Sequence, residues 1–210
     1  MADLTDLQAV QAVKVVGSDS SGVETNAVEA TITTPSLTAS GLVVRPLPFE
    51  TITYAAVATG FVAAASPTDV FTITGSATKT IRINRIIISG TTTSGSPIKI
   101  TINLIKRSSA NTGGTLVNDL EVPYDSLSPA ATANVAHYTA NPSALGTSLG
   151  TVRSTTTSIQ QSGLAEIIIW DFKDERPLIL RGTSEILTVN FGGTTVTGPI
   201  FSITVEWAEV

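Results

Sequence analysis

The stretch IKITINLIK, Ile98 to Lys106, decides the fold class of this chain. Apolar residues stand at every second position, namely Ile98, Ile100, Ile102 and Leu104, with Lys99, Thr101 and Asn103 between them. Successive side chains of a β-strand point to opposite faces, so this pattern predicts a strand with one buried and one polar face. FSITVEWAE, Phe201 to Glu209, alternates in the same way and predicts a second strand.

A third stretch, IRINRIIIS at Ile81 to Ser89, changes frame halfway along. Its apolar set moves from Ile81 and Ile83 to Ile86 and Ile88. Because a one-residue slip turns every later side chain to the other face, we predict a β-bulge near Asn84 and Arg85. Further strands are predicted at Val70 to Thr74, Ala165 to Trp170, Leu178 to Leu180 and Ile186 to Phe191.

The composition agrees with an all-β fold. Charged residues make up only 14% of the chain, so hydroxyl side chains must cover much of the surface, and Thr, Val and Ile suit strands. About eight strands without helical spacing between them predict an antiparallel β-sandwich of jelly-roll type, with an immunoglobulin-like sandwich as the alternative. The segment from Asn118 to Ser158 is rich in turn residues and is expected to form long loops.

The first 50 residues differ in texture from the rest. Residues 1–30 hold two Val-rich segments around a Gly-Ser-Asp-Ser-Ser-Gly stretch, which predicts an extended docking arm with a β-hairpin. Residues 3–13 fit either a single helical turn or an extended lead-in. Residues 31–50 contain several prolines and predict a connector to a body at 51–210. A lone hairpin is marginal in water, so its valines are the predicted attachment surface: Val13, Val15, Val16, Val23 and Val28.

Charge and composition disfavour several classes of partner. The net charge is −5 and the 12 Lys and Arg are scattered, so we expect no nucleic-acid partner. The absence of Cys removes disulfides and thiolate chemistry. MADLTDLQ does not resemble a secretory signal, and the apolar run at Tyr54 to Ser66 is too short and polar to span a membrane. We therefore expect no membrane partner and synthesis in the cytoplasm.

GTSLG, Gly146 to Gly150, matches the G-x-S-x-G nucleophile elbow of many esterases. That elbow requires a helix after the serine and a later histidine, whereas the single histidine, His137, precedes Ser148. We therefore predict a loop serine that faces water or a neighbouring subunit, and a chain that is not an enzyme. His137 is predicted to be a polar loop residue, with a pH-sensitive contact as the alternative.

Two groups of carboxylates could supply oxygen ligands to a cation. They are Asp119, Glu121 and Asp125, and Asp171, Asp174 and Glu175. Neither spacing fits an EF-hand, so we predict solvated turn charges and no cofactor or metal, with calcium at the first group as the alternative. A glycosidase pair of carboxylates stays open. Trp170 and Trp207 fall in strand patterns and are predicted to pack in the core, with sugar stacking as the alternative.

Several segments, in order, resemble a family of phage virion-associated proteins. They are TGFVAAASPTDVFTITGSATKTIRINRI, IKRSSANTGGT, VAHYTANPSALGTSLGTVRS, LILRGTSEILTVNFGG and FSITVEWAE, and the arm segment VKVVGSDSSGVETNAV is similar to N-terminal segments of phage structural proteins. The resemblance implies a virion structural protein on the particle exterior. A capsid decoration, cement or head-spike protein is expected first, and a tail, neck or baseplate protein involved in host adsorption or glycan binding second. A carbohydrate-binding or carbohydrate-cleaving module is a third reading. Expected partners are sister subunits, as a homotrimer, and the major capsid protein or another virion protein.

Overall fold

A computed structural model describes residues 17–18, 24–25, 33–34, 37–38, 52–161, 168–172 and 178–210. The chain divides into two units, Met1–Glu50 and Thr51–Val210. Every regular element within the described residues is a β-strand. No helix among them is long and apolar enough to cross a membrane.

The first unit contains two short antiparallel pairs. Strand β1 (Gly17–Ser18) pairs with β2 (Glu24–Thr25), around the turn of the predicted hairpin. Strand β3 (Thr33–Thr34) pairs with β4 (Leu37–Thr38). The five valines of the predicted attachment surface lie outside the described residues, as does the segment 3–13, for which a helical turn or an extended lead-in is predicted.

The second unit is built from two six-stranded antiparallel sheets. Sheet 1 has the order β10 (Glu121–Pro123), β5 (Ile52–Val62), β16 (Pro199–Glu209), β7 (Ile81–Thr92) and β13 (Ile168–Asp171), and β14 (Leu178–Leu180) also pairs with β7. Sheet 2 has the order β12 (Ser148–Ile159), β8 (Ile98–Arg107), β15 (Ile186–Asn190), β6 (Asp69–Thr74), β11 (Val135–Ala140) and β9 (Thr115–Asn118).

The connectivity is that of a jelly roll. Strand β5 pairs with β16, β6 with β15, β7 with β13 and β14, and β8 with β12, as when one long hairpin wraps around a core. Strands β9 to β11 are inserted between β8 and β12 and extend one edge of each sheet. The prediction of an all-β antiparallel sandwich of jelly-roll type is confirmed.

The core lies between the sheets and follows the alternation in the sequence. Ile100, Ile102 and Leu104 of β8 are buried, as are the inward residues of β16. The ring of Trp207 stacks on Tyr54 with 5.6 Å between centroids. Trp170 and Trp207 are both buried, as predicted for core residues.

The predicted β-bulge is confirmed at Asn84. Glu206 lies opposite Arg85 and Trp207 opposite Ile83, so Asn84 is the extra residue of β7. On the other side of β7, β13 ends at Asp171 and β14 begins at Leu178, and the carbonyl of Asn84 accepts a hydrogen bond from the Phe172 amide at 2.7 Å. The bulge thus coincides with a break in the neighbouring edge strand.

The expectation of long loops from Asn118 to Ser158 is wrong. This segment contains β10, β11 and nearly all of β12, a twelve-residue strand. Strand β12 is exposed over most of its length, so it carries no apolar alternation to reveal it. Strand β5 was also not predicted, since alanines weaken its pattern and a register shift opposite Ser202 breaks its frame at Thr59 and Gly60.

Candidate functional site

Gly146, the first residue of the GTSLG segment, is held by hydrogen bonds to two side chains, and the segment from Ser148 onward belongs to strand β12. The carbonyl of Gly146 accepts a hydrogen bond from Arg107 Nη1 at 2.8 Å, and its amide donates to Asn111 Oδ1 at 2.8 Å. Ser148 opens β12 opposite Arg107 and is exposed. The prediction of a loop serine is therefore wrong in its secondary structure, because the backbone of Ser148 belongs to a sheet edge.

Gly146 belongs to a buried polar network. Arg107 donates to both carboxylate oxygens of Asp69, at 2.9 Å each, while the side-chain amides of Asn111 and Asn190 donate to the same carboxylate at 2.8 and 2.6 Å. Asp69 accepts four hydrogen bonds, and each of the three guanidinium nitrogens of Arg107 donates one. Such additional hydrogen bonds are the condition under which a buried ion pair is tolerated. The network ties β6, β8 and β15 to the loops around Asn111 and Gly146.

His137 lies in β11 and is 9% exposed, so the prediction of a polar loop residue is wrong. Its Nδ1 is 2.9 Å from Asp119 Oδ1, and its ring lies 4.6 Å from that of Phe61. Burial raises the pKa of Asp119, helped by the charge of Glu121 and opposed by His137. The other carboxylate oxygen of Asp119 is buried without a hydrogen-bond partner among the described residues. The pair with Asp119 and the contact with Phe61 together fix the position of the imidazole.

The first carboxylate group does not converge on a common point. Glu121 accepts a hydrogen bond from the Val135 amide at 2.9 Å, and Asp125 accepts one from the Leu127 amide at 3.0 Å. The side chain of Asp119 is 7% exposed and pairs with His137, so it is not a solvated turn charge. Within the residues that the structure describes, no three His, Cys, Asp or Glu side chains are placed to hold a metal ion.

The second carboxylate group falls mainly outside the described residues. Asp171 ends β13 and is exposed, whereas Asp174 and Glu175 lie in the part of the chain for which no placement is described. Among the residues with a described placement, none joins Asp171 in a group that could hold a cation.

The outer face of sheet 1 carries a set of exposed branched side chains that the sequence analysis did not single out. Antiparallel sheets that face water usually place polar residues outward. Here four outward residues, on strands β10, β5 and β13, are about half exposed: Val57 at 47%, Val62 at 55%, Val122 at 49% and Ile169 at 53%. We call this surface the sheet 1 outer face.

The register aligns two of these side chains, Val57 and Ile169, in a row across the sheet. Val57 lies opposite Thr204, Thr204 opposite Ile87, and Ile87 opposite Ile169. The next row contains an ion pair in its middle, with Arg85 Nη1 3.9 Å from Glu206 Oε1. The exposed ring of Tyr124 adjoins this pair, and burial together with the charge of Glu206 raises its pKa.

A signal for this face is present in the sequence. Ile87 stands within the run Ile86 to Ile88, and Ile169 within the run Ile167 to Ile169. Because neighbouring residues of a strand point to opposite faces, three successive isoleucines must place at least one outward. The alternation of β16, with polar Ser202, Thr204 and Glu206 outward, masks that signal.

The outer face of sheet 2 provides the contrast. Lys99 and Thr101 of β8 are exposed there, and the hydroxyls of Thr101 and Thr156 lie 3.0 Å apart across β8 and β12. Ser154 donates to Asn103 Oδ1 at 2.7 Å in the same strand pair. The outer surface of sheet 2 is therefore polar where Lys99 to Asn103 of β8 pair with Ser154 to Ser158 of β12, while that of sheet 1 is apolar along its middle row.

Comparisons with models of known protein families, with curated proteins and with solved structures found no match. The resemblance to phage virion-associated proteins stays a prediction from the sequence. The function is accordingly argued from the fold and from the surfaces described above.

Proposed function

We propose that this chain is a structural protein of a tailed-phage virion, exposed on the particle exterior and without catalytic activity. It is a capsid decoration, cement or head-spike protein in this proposal, and it self-associates. The jelly-roll connectivity of residues 52–210 is the observation that carries it, since double-sheet jelly rolls recur in viral capsid proteins. Fold alone supports many functions, so the segment resemblance is needed beside it.

The division of the chain gives this proposal a mechanism. Residues 1–50 form a unit of their own, which suits an arm that docks on the major capsid protein or another virion protein while the jelly roll is displayed. Docking by strand addition would bury backbone hydrogen-bonding groups and apolar side chains together. The candidate contacts are Val13, Val15, Val16, Val23 and Val28.

Deletion of residues 1–48 tests the docking arm. We expect particles assembled with the truncated chain to lack it, while its circular dichroism spectrum keeps the β-sheet signal of the body. A matched variant replaces the five valines by the isosteric threonine, which should reduce incorporation without shortening the chain. Normal incorporation of the truncated chain would contradict the docking role, and turnover of a polysaccharide or ester by the full chain would contradict the non-enzymatic role.

Host adsorption through a tail, neck or baseplate position is the second candidate. The insertion between β8 and β12 exposes large side chains that suit contact with a receptor: Leu120 at 78%, Tyr124 at 61% and Leu127 at 92%. An aromatic ring in this setting can also stack on a sugar. Binding of the chain to host cells or glycans that is lost in Tyr124→Ala and retained in Thr101→Ala would favour this candidate over capsid decoration.

A further inference from the structure

We infer that the sheet 1 outer face binds a second copy of this chain through a two-fold symmetric contact. The starting observation is the middle row of that face, where Val57, Ile87 and Ile169 lie side by side with a single threonine among them. Contiguous exposed apolar side chains on a soluble protein mark a surface that another molecule covers. Stacked sheets bury such rows at a separation of about 10 Å.

The contrast between the two outer faces specifies which surface is covered. Hydroxyl and lysine side chains along β8 and β12 suit contact with water, and they hydrogen-bond across the strands. Val57, Val122 and Ile169 have no polar atoms with which to do so and are about half exposed. The exposed apolar side chains of sheet 2, Leu116, Val117 and Leu149, lie on its two edge strands, β9 and β12. Only sheet 1 has an apolar row that crosses its middle strands, which predicts one contact surface for each chain.

The charges on the face specify a second copy as the occupant. Arg85 and Glu206 lie opposite each other on neighbouring strands, and their pair is loose at 3.9 Å. The Nε of Arg85 is buried without a hydrogen-bond partner among the described residues. A cation beside an anion is self-complementary, because a two-fold axis that runs between β7 and β16 brings each Arg85 over the Glu206 of the other copy.

The same axis also brings the apolar rows of the two copies into contact. It exchanges β5 with β13, so that Val57 of one copy faces Ile169 of the other. A contact in which the same patch serves both subunits is the commonest arrangement of homo-oligomers. A three-fold arrangement would set this face against a different surface and would leave the charge pattern unmatched.

Association of the purified full chain tests the contact, and it can be measured whether or not the virion role holds. Sedimentation equilibrium should give the mass of a dimer. Val57→Lys and Ile169→Lys each place a charge in the apolar row at an exposed site, so the monomer should stay folded while the dimer dissociation constant rises about tenfold or more. Thr101→Lys, on the outer face of sheet 2, is the matched control and should leave the constant unchanged.

A charge exchange separates contact between chains from the ion pair within one chain. Asp171 lies opposite Arg85 on β13 and is unchanged in both variants. Between β7 and β16, Arg85→Glu leaves two anions and Glu206→Arg two cations, so each variant alone should be monomeric. Their mixture should form a dimer, because the two anions of one variant then lie over the two cations of the other. Only a contact between chains predicts this rescue.

A wild-type chain that stays monomeric at all concentrations would overturn the inference. So would a trimer, an equal effect of Thr101→Lys and Val57→Lys, or a mixture of the two charge variants that stays monomeric. Thermal melts of each variant identify any that fail to fold. If a charge variant fails to fold, the comparison of Val57→Lys and Ile169→Lys with Thr101→Lys decides the outcome.

Discussion

At Gly146 the missing side chain determines how two loops meet. A Cβ at this position would lie 1.8 Å from the carbonyl oxygen of Ser109, a separation that requires the backbone to move. The carbonyl of Gly146 accepts a hydrogen bond from Arg107, and its amide donates one to Asn111. A shift of the Gly146 backbone would therefore also disturb the ion pair of Arg107 with Asp69. The glycine of the apparent esterase motif is thus required by packing.

We predict that Gly146→Ala destabilises the chain by about 3 kcal/mol or more, as expected for strain that breaks a buried ion-pair network. Ser148→Ala should change the free energy of unfolding by less than about 0.5 kcal/mol, because the side chain is exposed. Urea unfolding of both variants measures the difference. A neutral Gly146→Ala together with a damaging Ser148→Ala would mean that the motif matters for its serine.

Glu209 links stability to pH. The side chain is 4% exposed at the end of β16. Burial alone raises its pKa, but hydrogen bonds from Thr132, Ala133 and Trp207 outweigh burial and the pKa is lowered. A carboxyl with a lowered folded pKa stabilises the fold above its unfolded pKa of about 4.3, and this contribution is lost as the pH falls through the folded pKa.

Wild type should therefore lose more stability than Glu209→Gln as the pH is lowered from about 5 toward 3, since the amide has no proton-linked contribution. Urea unfolding at several pH values gives both curves. Asp119, whose pKa is raised, contributes in the opposite sense, with stability lost as the pH rises through its folded pKa, but it is present in both proteins and cancels in the difference. Parallel curves for the two proteins would contradict this assignment.

At the scale of elements, the bulge in β7 keeps apolar side chains directed into the core both before and after the extra residue, Asn84. Ile81 and Ile83 before Asn84, and Ile86 and Ile88 after it, are all buried. Deletion of Asn84 would turn one of these pairs outward. We predict that the deletion prevents folding, because it costs more than the about 2–5 kcal/mol of a single Ile→Ala substitution.

Asn84→Ala is the control for that deletion, since it keeps the extra residue and the carbonyl that accepts the Phe172 amide. It should retain the native circular dichroism spectrum and a cooperative thermal melt. A deletion variant that folds as well as Asn84→Ala would mean that the register of β7 can slip without penalty.

The strands that could be predicted from the sequence are those that bury at least one face. Strands β8 and β16 alternate cleanly, and β7 reveals its bulge by a frame change, because burial selects apolar residues on one side. Strand β12 could not be predicted, since it is an exposed edge whose serines and threonines are held by backbone pairing with β8. His137 and Asp119 could not be paired from sequence either, because the register of β9 with β11 brings them together.

At the scale of the whole molecule, the jelly roll pairs strands that are far apart in sequence. Ile52 lies opposite Glu209, near the two ends of the body, whereas Ile98 lies opposite Ile159 across a much shorter stretch of chain. Closing a longer loop costs more conformational entropy, and such folds refold in milliseconds to seconds. The pairing of β8 with β12 is therefore expected to form before that of β5 with β16.

A matched pair of core substitutions tests this order. Ile102 of β8 and Ile203 of β16 are both fully buried, so Ile→Val at each should cost about 0.5–1.5 kcal/mol. If β8 and β12 pair in the transition state, Ile102→Val slows folding, whereas Ile203→Val mainly speeds unfolding. Stopped-flow folding and unfolding rates over a range of urea concentrations separate the two effects. The opposite result would place the folding nucleus in sheet 1, where β16 pairs with β5.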